Sequence, residues 1–192
     1  MEYQWIVAVA LGIGLSASTG FRVFIPLLIA GVAARMGVLP LNESFLWISS
    51  NMALITFGVA ALFEVAAYYI PFVDNLLDTI AMPLAIGGGT LLAASVLPID
   101  EGFMRWITAL IVGGGASAVV QGGTSALRLI SSGTTAGIGN PIVSTGENAA
   151  AIGFPLMVIL MPVVMTLILI FVVFLIFRAL FKRKRSQQKI RN

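Results

Sequence analysis

The stretch Val163–Phe177, VVMTLILIFVVFLIF, decides the class of this protein. It contains no charged residue, and Thr166 is its one polar side chain. Arg178 follows, then the cluster Lys182-Arg183-Lys184-Arg185. Hydrocarbon is the natural solvent for such a helix, because a helix satisfies its backbone hydrogen bonds internally. Basic residues beside a span stay on the cytoplasmic side, so the tail 182–192 is expected inside the cell. The same cations can attract anionic lipid headgroups.

The rest of the chain shares this character. Of 192 residues, 59% are hydrophobic and 10% are charged, with a mean hydropathy of +1.03. Soluble domains carry about 25% charged residues, so this chain has too few to cover a water-facing surface. Seven of the eleven basic residues lie between Arg178 and Arg191. The other four, Arg22, Arg35, Arg105 and Arg128, face eight acids. The pI of about 9.7 therefore describes a tail. With no aromatic residues interleaved there, nucleic acid is not an expected partner. The absence of Cys and His removes the usual zinc, haem and iron–sulfur sites, and thiol or imidazole catalysis. No cofactor is expected. Met1-Glu2-Tyr3-Gln4 lacks the positive start of a signal peptide, so the first apolar run is expected to be a retained helix.

A spanning helix needs about 20 mostly apolar residues. Six segments qualify or come close: Gln4–Ser18, Phe21–Ala34, Asn51–Ile70, Asn75–Leu97, Phe103–Ser131 and Ala149–Phe181. The expected fold is an all-α polytopic bundle of about six spans over residues 1–181, followed by the basic tail 182–192. Six spans put both termini inside and place Arg35 and Arg105 at cytoplasmic ends, as basic residues prefer. If Gln4–Ala34 is one broken helix, the count is five. Phe45-Leu46-Trp47 suits an interfacial segment. The stretch Gly133–Asn148 holds glycines, Asn140-Pro141 and many hydroxyls. Its composition argues against a spanning helix, and its low polarity suggests a re-entrant or buried loop.

Two pieces recur in order. Leu11–Ser18 resembles Leu110–Ser117, each followed by an arginine, Arg22 or Arg128. Glu64-Val65-Ala66-Ala67 resembles Glu147-Asn148-Ala149-Ala150, each followed by a proline. Fused repeats 4–97 and 103–181, with glycine-broken helices, would explain this pattern.

Ions at membrane depth cost about 2.5–3.5 kcal/mol on insertion scales unless paired or hydrated. Glu64 lies late in the third segment, and Asp74 and Asp78 are one turn apart on one helical face. Arg22, Gln121, Arg128 and Glu147 are the expected counter-groups. Glu64, Asp74, Asp78, Gln121, Arg128 and Glu147 are candidates to bind an ion or substrate, and Arg22 is a structural ion-pair candidate. The competing reading is a set of ion pairs that fixes helix registry. The glycine runs lack a Walker ending and are expected to serve close helix packing. The aromatics Trp5, Trp47, Tyr68, Tyr69 and Trp106 are expected to be interface anchors.

These residues carry a resemblance. The run Gly14-Leu15-Ser16-Ala17-Ser18-Thr19-Gly20-Phe21-Arg22 begins it. It continues with Glu64 through Pro71, Asp74, Asp78, Pro83 and Gly87, then Gln121 and Leu127-Arg128-Leu129. Asn140-Pro141, Ser144 and Glu147 complete it. Over about residues 10–160 the chain is similar to the bacterial membrane family catalogued as domain of unknown function 4126. The resemblance implies fold and membership and carries no assigned activity. Gly122-Gly123-Thr124-Ser125 stands where a more polar, basic stretch would be expected.

The leading expectation is a permease-like transporter in the bacterial inner membrane. It would use the carboxylate and arginine cluster for a cation, a proton or a small charged solute. The second is a non-transporting scaffold or accessory subunit of a membrane complex. An enzyme is not expected, since no nucleophile or metal set is visible. The lipid bilayer is the expected environment, with a homo-oligomer or a membrane complex as further partner readings.

Overall fold

In a computed structural model, the backbone of residues 2–70, 73–100, 102–135 and 138–191 is described. The side chains of Glu2, Tyr3, Asp74, Asn75, Leu76, Asp78, Ile176, Phe177 and residues 179–191 lie outside the description. All regular elements among the described residues are helical. They are α1 (Glu2–Ser18), α2 (Phe24–Arg35), a 3-10 helix (Glu43–Ser49), α3 (Asn51–Ala67) and α4 (Val73–Val96). Then come α5 (Gly102–Ala109), a π-helical turn (Leu110–Gly114), α6 (Gly115–Thr135), α7 (Asn140–Leu160) and α8 (Pro162–Arg191). Local chemistry fixes several boundaries. Ser50 caps α3, its Oγ accepting from the Ala53 N–H at 3.1 Å. Pro141 sits in the first turn of α7, where its missing N–H is not needed.

Three stretches are long and apolar enough to cross a membrane: Thr79–Val96, Gly102–Thr135 and Asn140–Leu160. A fourth counts if the 3-10 helix and α3, bent by 58°, form one span. Gln4–Ser18, Phe24–Arg35 and Pro162–Leu175 are apolar but shorter. In length and composition these helices are compatible with a membrane protein. Followed through their contacts, the described helices run alternately up and down beside one another. Asn42 returns after α2 to the carbonyls of Ala94 and Leu97, beside the start of α1. Arg105 reaches the carbonyl of Ile99 at this same end. Glu64 of α3 and Glu147 of α7 meet the α1–α2 turn at the other end of α1. Thr166 of α8 then donates to Ala10 at 2.8 Å, so α7 and α8 together run back along α1.

Small residues hold the centre together. Ser16 Oγ donates to the Gly89 carbonyl at 2.6 Å. A Cβ on Gly113 would stand 2.5 Å from the Gly89 oxygen and 2.8 Å from Ser16 Oγ. Backbones this close leave no room for side chains.

The α1–α2 turn packs against the middle of neighbouring helices. Thr19 Oγ1 donates to the Ala85 carbonyl at 3.0 Å. Ala85 lies near the middle of α4, about 17 Å from either end at 1.5 Å per residue. Gly20 packs against α6, where a Cβ would meet the Ser117 oxygen at 2.6 Å. Ser117 is likewise near the middle of the stretch Gly102–Thr135. The apex Ser16–Arg22 therefore packs against the middle of α4 and of the stretch Gly102–Thr135, and α2 begins there.

Two expectations are corrected. The stretch Gly133–Asn148 is not an extended loop, because α6 runs to Thr135 and α7 begins at Asn140. Pro141 opens that helix instead of preventing it. The expected last segment Ala149–Phe181 is two helices broken at Met161, whose backbone (φ −139°, ψ 64°) leaves the helical region before Pro162. The 3-10 helix buries Phe45 and Ile48 and leaves Trp47 half exposed.

Candidate functional site

The buried polar cluster begins at the hairpin apex. Arg22 is 1% exposed. Its Nη1 donates to Glu147 Oε2 at 2.8 Å and to the Phe21 carbonyl at 3.0 Å. Its Nε donates to Asn148 Oδ1 at 2.7 Å, and its Nη2 reaches the Ser144 carbonyl at 3.5 Å. Arg128, from α6, donates through Nε to Glu147 Oε1 at 3.1 Å and pairs through Nη2 with Glu147 Oε2. One carboxylate on α7 thus joins two guanidiniums from α6 and the apex. Both guanidinium carbons lie over the Tyr68 ring, 3.8 and 4.1 Å from its centroid. Such stacking is strongest when water is excluded.

The second carboxylate is held differently. Glu64 accepts the backbone N–H groups of Val23 and Phe24, at 2.8 and 3.0 Å, one on each oxygen. These donors open α2 and lack partners within it. No side chain of the cap residue itself serves them. Glu64 therefore caps α2 from another helix, with its charge on the favourable end of the helix dipole.

Beside Glu64 a cavity of about 340 Å3 opens between α3 and α4. Its polar lining is Arg22, Glu64, Tyr68 and Gln121, and its apolar lining includes Phe63, Ile80 and Leu84. Gln121 is 6% exposed and donates to Ser125 Oγ at 3.3 Å. The structure thus gathers Arg22, Glu64, Gln121, Arg128 and Glu147 around the apex, with Arg22 paired to Glu147. Asp74 and Asp78 lie on the first turns of α4, and their side chains fall outside the described residues. Among the described residues, no three His, Cys, Asp or Glu side chains group to hold a metal ion.

Tyr68 corrects an expectation. It is buried, at 6% exposure, under two guanidiniums and does not anchor at the membrane surface. The spacing from Glu64, one helical turn, was the available signal. Sequence reasoning also passed over Asn148. Its Nδ2 donates to the Tyr69 hydroxyl oxygen at 3.3 Å while its Oδ1 holds Arg22. Ser144 Oγ is buried with no hydrogen-bond partner among the described residues.

The family model described as "Domain of unknown function (DUF4126)" matches residues 9–182. The chain belongs to this family. Every residue of the DUF4126 cluster lies inside the match. No curated protein matches the chain, and no solved structure matches it either.

Proposed function

We propose that this DUF4126 protein is a small multi-pass transporter of the bacterial inner (cytoplasmic) membrane. Glu64 handles a proton, a cation or a small charged solute, and the Arg22–Glu147–Arg128 assembly holds the site in shape. The observation that carries this reading is the place of Glu64. It lies in the last turn of α3, with its carboxylate on the first N–H groups of α2 and beside a cavity, and on this reading the point lies within the membrane. Non-helical backbone at membrane depth is tolerated where it is buried or lines a cavity, and half-helix ends at mid-depth are a feature of transporter sites. Protonating or binding at Glu64 would weaken its grip on α2, which couples occupancy to the hairpin.

The C-terminus is assigned to the cytoplasm. Arg35 and Arg105 sit at the same end of the bundle as the start of α1, and α8 runs toward that end. The basic tail 182–192 continues that asymmetry.

Purified protein in proteoliposomes with an internal pH dye tests the reading. An imposed gradient is expected to collapse faster than in empty vesicles, and Glu64→Gln is expected to return the rate to that baseline. Equal rates for wild type and E64Q would remove Glu64 from the mechanism. A scaffold or accessory-subunit role has its own support, since the Glu147 ion pairs fix registry without needing a substrate. A stoichiometric partner retained in mild detergent, with no flux, would favour it.

A further inference from the structure

The cavity beside Glu64 has one property that the transport reading leaves unused: it opens sideways. Helices α3 and α4 follow one another in sequence yet barely touch, and the cavity fills the gap. Its rim residues Phe63, Ile80 and Leu84 are 73%, 46% and 41% exposed on the apolar flank of the bundle. That flank faces hydrocarbon in a membrane.

We infer that this cleft is a lateral entrance from the bilayer, and that its ligands are amphipathic primary amines. The ammonium group would sit at Glu64 and Gln121, and the alkyl chain between Phe63 and Leu84. This deepens the transport reading of the same site and rests on it.

The chemistry of the floor selects the head group. Each Glu64 oxygen accepts one backbone N–H, and a carboxylate has about four acceptor positions. Both oxygens therefore keep acceptor capacity. The Gln121 carbonyl oxygen accepts no hydrogen bond among the described residues, while its amide nitrogen is used on Ser125. Arg22 directs its donors to Glu147, Asn148 and two carbonyls. The floor thus offers acceptors and calls for a donor. An ammonium supplies three, and a charge-assisted bond to a carboxylate is about twice as strong as a neutral one. A carboxylate ligand would meet the charge of Glu64 instead.

The rim selects the body. Giving up water to pass between Phe63 and Leu84 is costly for any cation, and an inorganic ion has no apolar part to offset that cost. An alkyl chain partitions there readily.

Photolabelling tests the inference. The full chain in phosphatidylcholine nanodiscs is exposed to an alkylammonium probe carrying a diazirine midway along its chain, then mapped by mass spectrometry. Labels are expected on Phe63, Ile80 and Leu84, displaced by excess octylammonium and not by octanoate or octanol. Leu84→Trp, which fills the rim from an exposed position, is expected to cut labelling at Phe63 at least five-fold, as is Glu64→Gln. Labelling spread equally over the exposed residues of α8, or equal displacement by octanoate or octanol, would overturn the inference. Cleft labelling in a protein without flux upholds the entrance while sinking the transport reading. Proton flux without cleft labelling sinks the entrance while leaving transport standing.

Discussion

Glu64 and Glu147 are both carboxylates near Arg22, the first half-buried and the second buried, and their surroundings could hardly differ more. Glu147 is locked between two guanidiniums, with its oxygens shared by Arg22 and Arg128. Among the described residues Glu64 accepts hydrogen bonds from backbone N–H groups alone, and it borders open space. A carboxylate bound by two fixed cations has little freedom to exchange partners. One that caps a helix end and lines a cavity can release one bond and form another. The difference separates the part of the cluster that holds the bundle from the part that can act.

Substitutions can break or sharpen this contrast. Glu147→Gln leaves two buried guanidiniums around a neutral amide, and unpairing a buried ion pair costs about 3–5 kcal/mol. The expected result is loss of monodisperse protein or a sharp fall in thermal midpoint in detergent. A midpoint within a few degrees of wild type would erase the distinction. Gly20→Val drives a side chain into the Ser117 carbonyl, and overpacking of this kind costs about 1–3 kcal/mol. A lower midpoint, with α1–α2 displaced from α6, is expected. Tyr68→Leu removes the ring under both guanidiniums, a loss of about 2 kcal/mol for desolvated contacts. The same thermal measurement reads it. Glu64→Gln is expected to cost least, about 1 kcal/mol, because an amide oxygen still caps one N–H. Its large effect should appear in flux. If E64Q proves as unstable as E147Q, the two carboxylates share one structural role.

Much of this was legible in the sequence. The apolar runs pointed to an all-helical class with membrane-length helices, and the first five expected segments fall on observed helices. The scarcity of charges singled out Arg22, Glu64, Arg128 and Glu147, because buried ions must find one another. Depth was not legible. Ser16–Arg22 reads as a turn, yet nothing local says that Gly20 lets the turn seat against the start of α6, near the middle of the stretch Gly102–Thr135. The role of Glu64 was hidden for the same reason, since its partners are backbone groups of a distant segment. Backbone donors carry no sequence signature. Asn140-Pro141 misled because proline signals a break in most contexts and a beginning at the first turn of a helix.

The depth of Glu64 is the premise on which the account stands. The chain has no native cysteine, so a spin label at Phe63→Cys, one residue from Glu64 on the exposed side of α3, can report it by power saturation in lipid bilayers. The account predicts collisions dominated by oxygen, at a depth near the bilayer centre and equal to that of a Leu84→Cys label. A Phe63→Cys label relaxed mainly by a water-soluble nickel chelate would place Glu64 at the membrane surface and contradict the account.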